Sequence, residues 1–224
     1  MSDKITDDIG GVKVVLTSQT AINPESSGGA FQLKREERAN LTRLDPTLRK
    51  LMIGIGWDVV GFESEPPDLD VSLFLVDKNE KTRVDEDFIF YNNLKSPDGA
   101  IEHMGDNRTG AGDGDDENIR LNLENIPYEV FRVYFVISIY EADLKKQSFK
   151  SVRNSFLRIV NDETGIELMR FNLDQEFIDE PNATAVNVGF LERSGPNWFF
   201  EGLGKMTAGG LKEIATQYGI IVAH

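Results

Sequence analysis

Cysteine is absent from this chain, and histidine occurs only twice, as His103 and as the last residue, His224. No disulfide, thiolate metal site or thiol redox centre can be assembled without cysteine. A zinc site built from histidine and cysteine is excluded as well, and metals that favour nitrogen or sulfur ligands are disfavoured in the same way. No apolar run approaches the roughly 20 residues of a membrane span. The opening Met1-Ser-Asp-Lys-Ile-Thr-Asp-Asp has no apolar signal region, so a protein of the cytoplasm is expected and the Asn182-Ala-Thr sequon is read as chance. Positive charge is scarce: 24 Lys and Arg stand against 38 Asp and Glu, a net charge of −14. Phosphate binding needs basic patches, and nucleic acid is therefore not expected as a direct partner.

What the chain has instead is negative charge gathered in one place. Asp58 to Glu117 holds 17 acidic and 5 basic residues, a net −12 that leaves only −2 for the remainder. General surface acidity would not localise in this way. The densest part is residues 105–117, G-D-N-R-T-G-A-G-D-G-D-D-E, with five carboxylates (Asp106, Asp113, Asp115, Asp116, Glu117), the amide of Asn107 and four glycines. Carboxylates a few ångströms apart repel unless a cation joins them. Glycine lets the backbone turn sharply and bring carbonyl oxygens inward. Oxygen ligands on such a loop suit a hard cation, calcium above all.

With 224 residues and 40% hydrophobic content, the chain suffices for one sizeable core. Short β-branched or aromatic runs alternate with turn residues, the pattern of an all-β sandwich. Strands are expected at Val12 to Thr17, Lys50 to Trp57, Leu69 to Val76, Asp87 to Tyr91 and Ile119 to Leu123. Further ones are expected at Arg132 to Tyr140, Phe156 to Val160, Glu167 to Leu173, Ala185 to Glu192 and Trp198 to Gly202. Leu211, Ile214, Ala215 and Tyr218 fall at helical spacing, with Gly219 placed to cap a short C-terminal helix. Residues 1–30 read as a partly flexible extension, and 31–224 as the domain. Asn92 to Asn118 shows no strand or helix pattern, and a loop of that length is expected to be functional or ordered by a ligand.

Three acidic or amide-bearing clusters are expected to converge. They are Trp57-Asp58 with Asp68-Leu-Asp70, then Phe90-Tyr91-Asn92-Asn93, then the 105–117 loop. Asp68 and Asp70 share a face at strand spacing. The loop is not an EF-hand: counted from Asp106, positions 3, 5 and 6 are Arg108, Gly110 and Ala111, where that motif wants two oxygen-bearing side chains and a glycine. Two other readings stand beside calcium. One is a solvated acidic loop without metal. The other is a magnesium-dependent phosphoryl-transfer enzyme built on Asp113-Gly-Asp115, although magnesium uses only one or two carboxylates and such sites add a lysine or histidine. Asp85-Glu86-Asp87 reads as solvated surface charge, His103 as a local hydrogen-bond donor, and Trp57 and Trp198 as core or loop-anchoring residues.

Gly54-Ile-Gly-Trp-Asp58, Asp68-Leu-Asp70, Asp87-Phe-Ile-Phe-Tyr-Asn-Asn-Leu94, Gly105-Asp-Asn-Arg-Thr-Gly110 and Gly112-Asp-Gly-Asp-Asp-Glu117, in that order, resemble the TerD family of tellurium-resistance and stress proteins. Phe156-Leu-Arg158, Glu167-Leu-Met-Arg170, Trp198-Phe-Phe and Tyr218-Gly219 extend the resemblance to cover roughly Phe31 to the end. It implies a β-sandwich of two antiparallel sheets that binds two calcium ions side by side in loops at one end. Carried over to this sequence, it points to Asp58, Asp68, Asp70, Asn92, Asp106, Asp115, Asp116 and Glu117 as ligands, with the carbonyl of Gly110. It also implies a non-enzymatic role in tellurite and chemical stress, and protein partners, among them other tellurium-resistance proteins at the inner membrane.

Overall fold

The computed structural model describes residues 29–59, 66–105 and 114–221, together with the backbone of two strands at 5–9 and 12–16. In chain order the strands are β1 (Ile5–Ile9), β2 (Val12–Leu16), β3 (Phe31–Leu33), β4 (Glu37–Asn40), β5 (Lys50–Val59), β6 (Leu69–Val76) and β7 (Phe88–Ile89). They continue with β8 (Ile101–His103), β9 (Glu117–Asn122), β10 (Arg132–Ile139), β11 (Val152–Asn161), β12 (Glu167–Asn172), β13 (Ala185–Ser194) and β14 (Asn197–Thr207). Among the described residues four short α-helices intervene: α1 (Leu41–Leu44), α2 (Ala142–Lys145), α3 (Asp174–Asp179) and α4 (Gly210–Gln217).

The strands form two sheets, one ordered β1-β2-β4-β14-β13-β10-β6-β7 and the other β3-β12-β11-β5-β9-β8. Pairing is antiparallel except at β2–β4 and β3–β12. The expected all-β sandwich with a short C-terminal helix is the observed architecture. Both parallel pairs involve β3 or β4, three or four residues long and too short for a periodic signal. The loop expected over Asn92 to Asn118 is narrower than that: β8 lies within it and β9 begins at Glu117. Within the 1–30 extension, β1 and β2 continue the larger sheet through the pairing of β2 with β4.

Alternation explains how the layers stack. Along β5, Leu51, Ile53, Ile55 and Trp57 enter the core between the sheets, so Gly54, Gly56 and Asp58 fall on the outer face. Strands β6 and β10 are buried on both faces because they serve two cores. Leu69, Val71, Leu73 and Leu75 face the other sheet, while Phe74 and Val76 join a second cluster with Tyr134, Val136, Phe190, Ile214, Ala215 and Tyr218. Helix α4 covers that second face. Its register follows the expected spacing, and Gly219 ends it at φ +96°, a conformation that glycine takes without strain.

Tyr218 holds the second core together. It is 6% exposed, its ring centroid lies 4.6 Å from Tyr134 and 5.0 Å from Phe74, and its hydroxyl accepts a 2.6 Å bond from the Asn187 amide. Replacing Tyr218 by Ala is expected to cost about 3–5 kcal/mol, the range for a buried large aromatic. Tyr218→Phe, which only unpairs the amide, is expected to cost about 1–3 kcal/mol. Urea unfolding of both variants checks the order.

Candidate metal centre

The ends of four central strands bring the acidic residues to one end of the sandwich. Ile55 near the end of β5 pairs with Glu117 at the start of β9, and Leu69 at the start of β6 pairs with Ile139 at the end of β10. The two sheets are joined there directly, since the Val71 amide of β6 donates to Glu117 Oε2 of β9 at 3.1 Å. The Tyr140 amide donates to the Asp68 carbonyl at 2.8 Å.

Each carboxylate has a distinct setting. Glu117 points into the sandwich, with its side chain 1% exposed and Oε2 3.2 Å from His103 Nε2. His103 Nδ1 accepts from the Gly105 amide at 3.2 Å, so in the neutral ring the hydrogen sits on Nε2 and is given to Glu117. His103 is thus the local donor its position suggested. Asp116 Oδ2 accepts from the Trp57 amide at 2.8 Å, and the Asp116 amide donates to the Ile55 carbonyl at 2.8 Å. Burial pushes the Asp116 carboxyl above the usual aspartate range, and the nearby Asp58 and Asp115 push it further, against the Trp57 bond. Asp58 is exposed on the outer face of β5 and accepts from Asn154 Nδ2 at 2.6 Å.

Asp115 lies a residue away from Asp116 but is bound differently. Its side chain is 5% exposed, and both its oxygens are taken by the Arg158 guanidinium, at 2.7 and 2.8 Å. On the other sheet, Asp70 is buried at the start of β6. Burial raises the Tyr91 hydroxyl above its usual range, with Tyr140, Asp70 and Glu141 adding to it, and the Tyr91 ring stands edge-on to that of Tyr140, 6.1 Å between centroids, just past the end of the strand that pairs with β6. The 90–93 turn closes through paired bonds between Phe90 and Asn93 and leaves Asn92 exposed at its tip. The Asn93 amide donates to the carbonyls of Glu86 and Phe88.

The expected set is therefore brought to one end in two groups, Asp58 with Asp115 and Asp116 on one sheet and Asp70 with the 90–93 turn on the other, with Glu117 between the sheets. Asp106 and Gly110 lie outside the described residues, as do Asn107 and Asp113. Among the described residues no group of three or more acidic or histidine side chains stands ready to hold a metal ion. Asp87 departs from the reading of Asp85-Glu86-Asp87 as solvated: it is fully buried and bound by Arg83 at 2.7 and 2.8 Å. Its place at the end of a helical turn aims it back at Arg83.

The residues missed by sequence reasoning as part of this end form an ion-pair row of two arginines and a glutamate. Arg158, Glu167 and Arg170 share the outer face of β11 and β12, linked by Arg158 Nη1 to Glu167 at 3.0 Å and Arg170 Nε to Glu167 at 2.8 Å. An arginine interrupting the apolar run Phe-Leu-Arg-Ile-Val was the signal available.

A family model described as the TerD domain matches residues 30–218. The tellurium resistance protein TerD of Serratia marcescens is 42% identical over 191 residues, 85% of this chain and 98% of that protein. General stress protein 16U of Bacillus subtilis (strain 168) is 42% identical over 193 residues, 86% and 98% of the two chains. The crystal structure of a homologue of telluride resistance protein (TerD) from Streptomyces coelicolor A3(2) superimposes with a TM-score of 0.61 at 22% identity, covering 78% of this chain and 99% of that one. The last shows that the fold is shared. No helix among the described residues is long and apolar enough to cross a membrane.

The raised Asp116 carboxyl fixes a sign. The folded state holds that proton more tightly than the unfolded chain, so its ionisation costs stability as pH rises above the ordinary aspartate value of about 3.9. In EDTA, Asp116→Asn keeps an oxygen for the Trp57 amide and is expected to raise the melting temperature at pH 7 but not at pH 3. Melting curves across that range check it; a lower melting temperature at neutral pH would contradict the electrostatic account.

Proposed function

The chain belongs to the TerD domain family of tellurium-resistance and stress-response proteins, and from that premise we propose that it is a non-enzymatic, calcium-binding stress protein of the cytoplasm. The observation that carries the calcium reading is the gathering of Asp58, Asp70, Asp115, Asp116 and Glu117 at one end of the sandwich, where the β5–β9 and β6–β10 pairings bring their strand ends together and Glu117 bonds across the sheets. A cation relieves that crowding. The donor chemistry fits a hard ion, because these groups are oxygens and the chain has no thiol.

Asp58, Asp68, Asp70, Asp106, Asp115, Asp116 and Glu117 would supply carboxylate oxygens, Asn92 an amide oxygen and Gly110 a carbonyl, enough for two ions. Calcium would supply charge neutralisation there. The protein's own part is to hold the strand ends that carry Asp58, Asp70 and Glu117 at fixed separation. The ordered loops then present a surface to protein partners, other tellurium-resistance proteins at the inner membrane being the expected ones. The relatives are named as resistance and stress proteins, in keeping with a binding role.

Binding confined to the folded state stabilises it by about 2.7 kcal/mol at a hundredfold excess over the dissociation constant. Thermal unfolding in calcium, magnesium and EDTA, beside a calorimetric titration, tests the proposal. A calcium-selective rise in melting temperature with about two ions bound is expected. Asp116→Asn and Glu117→Gln should each weaken binding by about tenfold or more. Equal shifts with magnesium, or unchanged affinity in both variants, would overturn the assignment.

A further inference from the structure

We propose that Arg158 is the positioning residue of the acidic end: it withdraws Asp115 from the cation's ligands and uses it to pin the 114–115 segment onto the outer face of the β5–β11 pair. This rests on the calcium reading above and changes it at one residue, making Asp115 an anchor.

The geometry is that of a built clamp. The guanidinium meets both Asp115 oxygens, at 2.7 and 2.8 Å, the two-pronged fit in which planarity and charge reinforce each other. A cation sharing those oxygens would stand against a guanidinium already in contact with them, and like charges at such separations repel strongly. Arg158 is itself held. Its Nη1 reaches Glu167 at 3.0 Å, Glu167 takes Arg170 at 2.8 and 2.9 Å, and the Arg170 guanidinium lies 4.1 Å from the centre of the Phe156 ring. Against the upward push of burial, the bonds from Arg170 and Arg158 keep Glu167 below its usual range, so the row stays charged at neutral pH.

The backbone makes room for the anchor. A Cβ on Gly54 would lie 2.2 Å from the Asp115 carboxyl carbon, and one on Gly56 would lie 2.8 Å from the Gly114 carbonyl oxygen. These glycines face outward on β5, where the 114–115 segment crosses the strand. Any side chain there would displace it. Because Asp116 follows directly, fixing Asp115 also fixes the direction of Asp116. Its amide and carboxylate then meet the Ile55 carbonyl and the Trp57 amide. The clamp thereby aims a ligand without being one.

A double-mutant cycle on Asp115→Asn and Arg158→Gln tests this, with calcium affinity and stoichiometry read by calorimetry below the melting temperature and melting read in EDTA. The double variant buries no unpaired charge, so it guards against a single variant that fails to fold. We expect each change to weaken calcium binding by about tenfold with the number of bound ions unchanged, and the double to be no weaker than either single. Arg158→Lys, which keeps charge but loses the fork, should recover part of the affinity. The proposal is overturned if Asp115→Asn removes an ion while Arg158→Gln leaves affinity intact or raises it, since Asp115 would then be a ligand. It is also overturned if neither variant changes affinity. If the unmodified protein binds no calcium, the calcium reading fails separately. The EDTA melting cycle then decides the clamp, with non-additive losses supporting it and additive losses overturning it.

Discussion

Repulsion among carboxylates at one end of the sandwich is the constraint to which the surrounding structure answers. Asp58 and Asp115 lie near enough to disturb Asp116, and Glu117 sits inside the fold with 1% of its side chain exposed. Each finds a different accommodation. Asp115 has a guanidinium, Glu117 an imidazole N–H and the Val71 amide, Asp58 the Asn154 amide, and Asp116 the Trp57 amide. Of these partners the Arg158 guanidinium is a fixed cation and the amides are neutral donors. The proposed cation belongs at this end, beside Asp116.

The scaffold makes this crowding sustainable. Two cores, one between the sheets and one beneath α4, hold β6 and β10 on both faces, so the strand ends that carry Asp70 and Tyr140 cannot drift apart to relax the charge. The Val71–Glu117 bond ties the sheets together at the same place. Rigid strand ends with acidic side chains give the proposed site a fixed, preorganised frame. Stability stored elsewhere thus sustains the cost of concentrating charge here.

Much of the fold was legible in the sequence where periodicity was strong. The alternation in β9, the doubly apolar run of β10 and the helical spacing of Leu211, Ile214, Ala215 and Tyr218 all read directly. Strands β3, β4 and β8 did not, because three or four residues cannot carry a period and their pairing is set by neighbours far away in the chain. The acidic end was legible as a concentration of charge and as a family pattern. Its internal division was not: nothing local in Gly-Asp-Asp-Glu separates Asp115, turned outward to Arg158, from Glu117, turned inward to His103. That distinction depends on Gly54 and Gly56 opening space on one face of β5 and on an arginine some forty positions later. The burial of Asp87 escaped for a similar reason, since its partner Arg83 makes it an internal ion pair within a segment that looks solvated.

The central claim is that a hard cation occupies the acidic end beside Asp116. Trp57 provides a reporter, because its backbone amide binds Asp116 and its indole is 4% exposed, whereas Trp198 lies at the start of β14, beyond the opposite ends of the same strands. Terbium, a hard trivalent ion that takes oxygen ligands as calcium does, would be titrated with excitation through tryptophan. The account predicts sensitised emission that is displaced by calcium, is displaced poorly by magnesium and is weakened by Asp116→Asn. Emission indifferent to calcium and to Asp116, or none at all, would contradict it.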